Sequence, residues 1–331
     1  MNIKLKDIYT KFRLPIHIGL GIMLLILPTL LNPYLLRIAI MVGIYMILAS
    51  SLNLIIGFTG MFSLGHGAFY GIGAYVSALL SRNFGLSFWL TMLVAGVVAG
   101  GFGTLIGLAT LRLRAIFLAF TTLGFGEITR IIILNWISVT RGPMGVPGIP
   151  IPSLFGMTFK PIAYYYLIVV LVLLTVLIVH RLYYSRVGRA FLAIREDELA
   201  TKNMGINVFA FKTIAFTIAC AIAGVAGAYY AHFARYISAD QFGSNESFMI
   251  LTMVALGGTG SITGPLIGAF ILVLLPETFR FLAQYRMVLY GLILMSVIVL
   301  KPGGIVGVKG LFERSEPLFK RKKKHSAEAS V

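Results

Sequence analysis

One cysteine, Cys220, stands in a chain of 331 residues, so an internal disulfide and a cysteine-based metal cage are both excluded. That lone thiol sits among Ala and Ile, where packing is its ordinary role. Charge is scarce as well. Asp, Glu, Lys and Arg make up only 12% of the chain, against about a quarter in soluble domains, while 58% is hydrophobic and the mean hydropathy is +0.93. A soluble globular protein is therefore excluded, and an integral membrane protein is expected. Acidic residues are the scarcest charged class: 11 Asp and Glu face 28 Lys and Arg, a net charge of +17. The bases flank oily segments and do not form a surface with interleaved aromatics, so they read as topology signals and not as a nucleic-acid footprint.

Further absences narrow the chemistry. "GGTGSITGP", residues 257–265, lacks the GK[ST] ending that lets a phosphate-binding loop hold ATP, so this chain binds no cofactor of its own. No Ser/His/Asp set, His-x-x-x-His pair or paired carboxylates occur in a water-facing loop, and catalysis is not expected. His66, in "SLGHGAF", has no second ligand at metal spacing and reads as a packing or hydrogen-bonding histidine. No metal site is expected.

What is present is a series of apolar runs. A helix rising about 1.5 Å per residue needs roughly 20 apolar residues to cross the hydrocarbon core. Runs at 14–31, 34–56, 65–80, 87–110, 115–137, 162–180, 208–233 and 286–300 meet or approach that length. The run at 14–31 follows Lys4, Lys6, Lys11 and Arg13 with no small-residue cleavage site, so it reads as a retained first span. Residues 246–282 are too long for one crossing and are interrupted at 257–265, so a short helix, a break near Gly257 to Gly264 and a second helix are expected. The fold class is all-α, a polytopic membrane bundle of about ten passages with both termini cytoplasmic. A single membrane domain, 1–310, would precede a basic cytoplasmic tail, 311–331. With the amino terminus inside, ten passages bring Arg112, Arg114, the 181–207 loop and "KRKKK" at 320–324 to the cytoplasm, as the loop-charge rule requires. The outer side receives 138–160 and 235–247.

Glycines four apart (Gly67 and Gly71, Gly96 and Gly100, Gly103 and Gly107, Gly264 and Gly268) put flat stripes on helix faces and imply close helix packing. Glu127 is the acidic residue near the middle of a predicted crossing, with Arg130 one turn on. It is either a polar contact on a translocation path or a proton-coupling carboxylate, or else half of an i, i+3 ion pair facing a partner subunit.

The 181–207 loop holds the densest charge in the chain. Residues 189–203 read as one short amphipathic helix, with Leu192 and Leu199 on one face, Phe191 and Ile194 also apolar, Glu198 and Lys202 as i, i+4 partners, and Gly205 ending it. Glu196, Asp197 and Glu198 together oppose an anionic lipid surface, so docking to a protein is favoured.

"SLNLIIGFTGMFSLGHGAFYGIGAYVSALL" (51–80), "GEITRIIILNWISVTRGPMGVPGIP" (126–150), "SRVGRAFLAIREDELATKNMGINVFAFKTIAF" (185–216) and "VALGGTGSITGPLIGA" through "KPGGIVG" (254–307) occur in an order that resembles the branched-chain amino-acid ABC transporter permeases of LivM type. The chain departs from that pattern at Met61, where Gln is common, and at Ala200-Thr201, where two alanines are common. The resemblance implies a multi-pass subunit of the inner or plasma membrane. It would pair with a sister permease, two cytoplasmic ATP-binding subunits that use the ATP, and an extracytoplasmic substrate-binding protein. It also implies site residues: Arg189, Phe191, Leu192, Ile194, Arg195, Glu196, Asp197, Glu198, Leu199 and Gly205 for coupling to the ATPase. Ser63, His66, Glu127, Arg130, Gly257 and Gly258 would line the path or subunit interface, and Thr140, Arg141, Gly142 and Gly145 would meet the binding protein. A permease of a related ABC importer for urea or another small amino acid or amide, and an ion-coupled secondary transporter using Glu127, are the alternatives.

Overall fold

Apolar on every face, the long helices of this chain can be satisfied only by one another and by lipid. The computed structural model describes residues 27–28, 31–110, 115–154, 157–278, 288, 291–293, 295–296 and 303–306. Most of the expected first span at 14–31 and most of the last at 286–300 lie outside the described residues, as do Arg112, Arg114 and the basic tail.

Helix α1 (Pro33–Asn53) starts with proline at its first turn, where no N–H is needed, and runs on as a π-helix, Leu54–Phe58. Then come α2 (His66–Phe84), α3 (Phe88–Thr110), α4 (Ala115–Asn135) and the short α5 (Ile137–Thr140). After two-residue strands β1 (Val146–Pro147), β2 (Ser153–Leu154) and β3 (Met157–Thr158), α6 (Pro161–Tyr184) returns. The 181–207 loop holds α7 (Arg186–Glu196) and α8 (Glu198–Asn203). Helix α9 (Val208–Ala234), strand β4 (Tyr236–Ile237), α10 (Ser244–Gly257) and α11 (Gly264–Thr278) complete the described chain. Five helices among the described residues are long and apolar enough to cross a membrane: Pro33–Phe58, Phe88–Thr110, Phe117–Asn135, Pro161–Tyr184 and Val208–Ala234. The protein is a helical, multi-pass membrane protein.

Its centre is α2, α3 and α9 in close contact. A Cβ on Gly96, Gly100 or Gly103 of α3 would press on Val225, Ala221 or Cys220 of α9, and one on Gly224 of α9 would press on Ala99. Gly227 faces the Tyr70 carbonyl of α2 just as closely. Glycine stripes thus act here as the spacing predicts, and buried Cys220 is a packing residue. Outward, Leu93, Val97, Leu105, Val170, Leu173 and Leu177 remain exposed on α3 and α6, an apolar belt suited to lipid.

Candidate functional site

At the end of the bundle that carries the basic loop, the sequence expectation of one amphipathic helix over 189–203 needs correction. Asp197 takes an extended conformation (φ −156°, ψ 110°), ends α7 and caps α8 by accepting from the Ala200 N–H at 2.9 Å. A short Asp side chain bonds a backbone N–H three residues on better than it continues a helix. Ser185 caps α7 through Gly188 N–H at 3.1 Å, and Asn207 caps α9 through Ala210 N–H at 3.1 Å. Gly205 has φ +81° at the turn between α8 and α9, where an L side chain would be strained. The expected Glu198–Lys202 pair is replaced by Glu198 with Lys212 of α9 at 2.6 Å, because the break turns Glu198 back toward the bundle.

The break also separates the apolar residues that were expected to share one stripe. Phe191 and Ile194 are buried against this chain's own helices, and Leu192 is half-buried. Leu199 is 74% exposed and Met204 83% exposed, beside Glu196, Asp197 and Lys202. Arg189 is exposed and reaches the Tyr184 carbonyl at 3.5 Å. Arg195 instead turns inward, and its Nη1 donates to the carbonyl of Gly57 at 2.5 Å.

Gly57 lies in the π-helix, next to the interruption between α10 and α11. That interruption, Gly258 to Thr263, falls where "GGTGSITGP" predicts it. Buried Asn53 accepts from Gly260 N–H at 2.9 Å and donates to the Ser261 carbonyl at 2.8 Å. Ser261 Oγ accepts from Gly264 N–H at 2.8 Å, so it caps α11. From the far end of the chain, Ile305 and Val306 donate to the Leu256 and Gly257 carbonyls. Irregular backbone inside a membrane protein is tolerated when its polar groups are met in this way. Gly257 packs on the Gly264 carbonyl, and Gly258 has φ +118°, so both serve the turn itself. Sequence reasoning missed Asn53; its signal is an Asn inside the otherwise oily "SLNLIIG".

His66 is fully buried at the start of α2. Ser51 donates its hydroxyl proton to the Leu48 carbonyl at 2.8 Å, so His66 Nε2 is assigned as the donor to Ser51 Oγ at 2.7 Å. His66 Nδ1 and buried Ser63 Oγ have no protein partner. Leu64 N–H reaches Thr122 of α4 at 3.0 Å, two turns from that helix's start.

Glu127 bonds Arg130 at 2.9 Å, and Arg130 also reaches Asp240 at 3.2 Å. The second Glu127 oxygen accepts from Ser244 N–H at 3.3 Å, at the first residue of α10. A carboxylate there meets the positive end of that helix's dipole. The side chains of Glu127 and Arg130 stay about a third exposed, 35% and 30%, beside exposed Thr121, Gly124 and Ile128. Sequence reasoning also passed over Glu246, in the first turn of α10, which Tyr45 hydrogen-bonds.

At the opposite end, β1 pairs antiparallel with β4, Val146 with Ile237 and Pro147 with Tyr236, joining the two expected outer loops. Thr140 is buried, donates to the Ile133 and Trp136 carbonyls, and accepts from Gly142 N–H. Gly142 (φ +57°) and Gly145 (φ +67°) are buried within the turn, and Gly145 abuts the Ile237 carbonyl. What faces out is Arg141, Pro143 and Met144, the last 81% exposed. Of the four residues expected at this surface, then, one is displayed and three shape the loop.

Residues 34–298 match the family described as "Branched-chain amino acid transport system / permease component". The high-affinity branched-chain amino acid transport system permease protein LivM of Salmonella typhimurium is 38% identical over 293 residues, 81% of this chain and 69% of that protein. LivM of Escherichia coli K12 is 37% identical over the same shares. The permease protein LivH of Salmonella typhimurium is 28% identical over 294 residues, 80% of this chain and 91% of its own. No solved structure matches the chain.

Proposed function

Because this chain belongs to the branched-chain amino acid transport system permease family, we propose that it is one membrane subunit of an ATP-driven importer of Leu, Ile and Val. A sister permease of the LivH kind completes the translocation path, in the inner or plasma membrane. Ten passages with both termini cytoplasmic, a membrane domain at 1–310 and a basic tail at 311–331 complete the reading.

The observation that carries it is the two-helix element α7–α8. Two side-chain caps hold its backbone and a third starts the helix that follows it, its inner face is anchored in the bundle, and its outer face shows Leu199 and Met204 among charges. An exposed apolar pair on a rigid mount suits a protein partner better than water or lipid headgroups. The partner on this reading is an ATP-binding subunit, which supplies the ATP hydrolysis. Arg141, Pro143 and Met144 on the strand-tied outer cap would receive the substrate-binding protein. The open edge of α4 with Glu127, Arg130, Thr121 and Gly124 would face the path or the sister permease, since an ion pair facing hydrocarbon costs several kcal/mol. An ion-coupled carrier using Glu127 is disfavoured, because Arg130 and Ser244 already engage both oxygens of that carboxylate.

Reconstitution of the chain with its partner subunits in proteoliposomes, with labelled Leu, Ile, Val and urea and with or without ATP, tests the reading. ATP-dependent uptake of the branched-chain amino acids is expected. Uptake of urea alone, or uptake driven by an ion gradient without ATP, would overturn it.

A further inference from the structure

Two interruptions of regular helix, in different spans, meet one guanidinium. The π-helix ends α1, and the Gly258–Thr263 turn ends α10; a Cβ on Gly57 of the first would collide with the Gly260 nitrogen of the second. Arg195 lies over that junction. Its Nη1 donates to the Gly57 carbonyl, the same nitrogen occupies the space a Gly260 side chain would need, and its stem would lie 3.5 Å from a Cβ placed on Gly60. Gly60 and Gly260 have φ of +71° and +84°, so the backbone shape depends on glycine at both, and the room for the guanidinium depends on it at Gly260. α1 and α10 both point their carbonyl ends at this place, and a permanent cation is favoured there. Asn53 then stitches the two interruptions together from the other side.

The base of that arginine belongs to α7, the helix whose continuation carries the exposed Leu199 and Met204. We infer that Arg195 is a positioning residue that links the docking element to the π-helix and to the broken α10–α11 pair. A displacement of α7–α8 by an ATP-binding partner is thereby passed to two spans at once. A π-turn and a glycine-rich break are the parts of a helix bundle that change shape most readily, whereas the glycine-locked α2–α3–α9 centre resists it. The inference rests on the proposed function and adds to it the inward end of the coupling, which the surface of α7–α8 does not reveal.

The test uses the complete importer in proteoliposomes, with ATP hydrolysis and labelled leucine uptake measured on the same vesicles. Arg195→Ala is expected to assemble, to hydrolyse ATP within about twofold of the unsubstituted complex, and to lose roughly tenfold or more in uptake, raising the ATP consumed per leucine. Arg195→Lys, which keeps a cation at the two helix ends but not the planar fork, should recover part of that ratio. An unchanged ratio in Arg195→Ala, or hydrolysis and uptake falling in equal proportion, would overturn the inference. So would failure of both variants to assemble, which would assign Arg195 to folding alone. Absence of ATP-dependent uptake in the unsubstituted complex refutes the proposed function instead, and is distinguishable because it needs no variant.

Discussion

Glu127 shows how a single side chain acquires its role from its neighbours. Its carboxylate holds Arg130 on one oxygen and the first N–H of α10 on the other, so it serves as a cap supplied by a different helix. Glu127→Gln keeps an acceptor for Ser244 and loses the partly exposed ion pair, a change of about 1 kcal/mol or less. ATP-driven uptake should therefore persist within roughly tenfold and stay insensitive to a protonophore; abolition of transport with intact assembly would restore the proton-coupling role. The glycines divide by what lies opposite them. Gly227→Ala drives a methyl into the Tyr70 carbonyl between α9 and α2 and should lower stability by about 1–3 kcal/mol. Gly101→Ala has open space and should be neutral or stabilising by up to about 1 kcal/mol. Thermal unfolding in detergent compares the two.

α7–α8 and the interrupted spans make the argument at the scale of elements. Leu199→Asp removes an apolar contact that this chain itself does not bury, so insertion should be normal while co-purification of the ATP-binding subunit weakens about tenfold or more. Loss of insertion would show the residue to be packed inside the chain. Asn53 carries the opposite expectation. Asn53→Leu strands the Gly260 N–H and the Ser261 carbonyl in a buried site, at about 1–3 kcal/mol for each group. The variant should lose stability whether or not partners are present, as thermal denaturation would register. Much of this scale was legible in advance, because interruptions announce themselves: "GGTGSITGP" breaks a hydrophobic run, and its helices end where the glycines begin. The division of α7 from α8 was not. Asp197 reads equally well as a charged residue on a helix face or as a cap, and only the path of the chain back to Lys212 decides between them.

For the whole molecule, the distribution of charge and the succession of oily runs predict the side on which each loop lies. A reporter fused after Lys324 should be active only in the cytoplasm, and periplasmic or extracellular activity would refute the ten-passage reading. Composition, the apolar runs and the glycine spacings determined by themselves that this is a polytopic helical membrane protein with close-packed helices, because hydrophobic length and small-residue stripes are local properties. Tertiary structure alone decided that Arg195 points inward at Gly57, that Thr140 and Gly145 build the outer cap while Met144 is displayed, and that strands some 90 residues apart tie that cap together. Such pairings depend on which segments the packed bundle brings within hydrogen-bond reach. A residue's local sequence names the groups it can offer, but the partner that takes them is set by the fold.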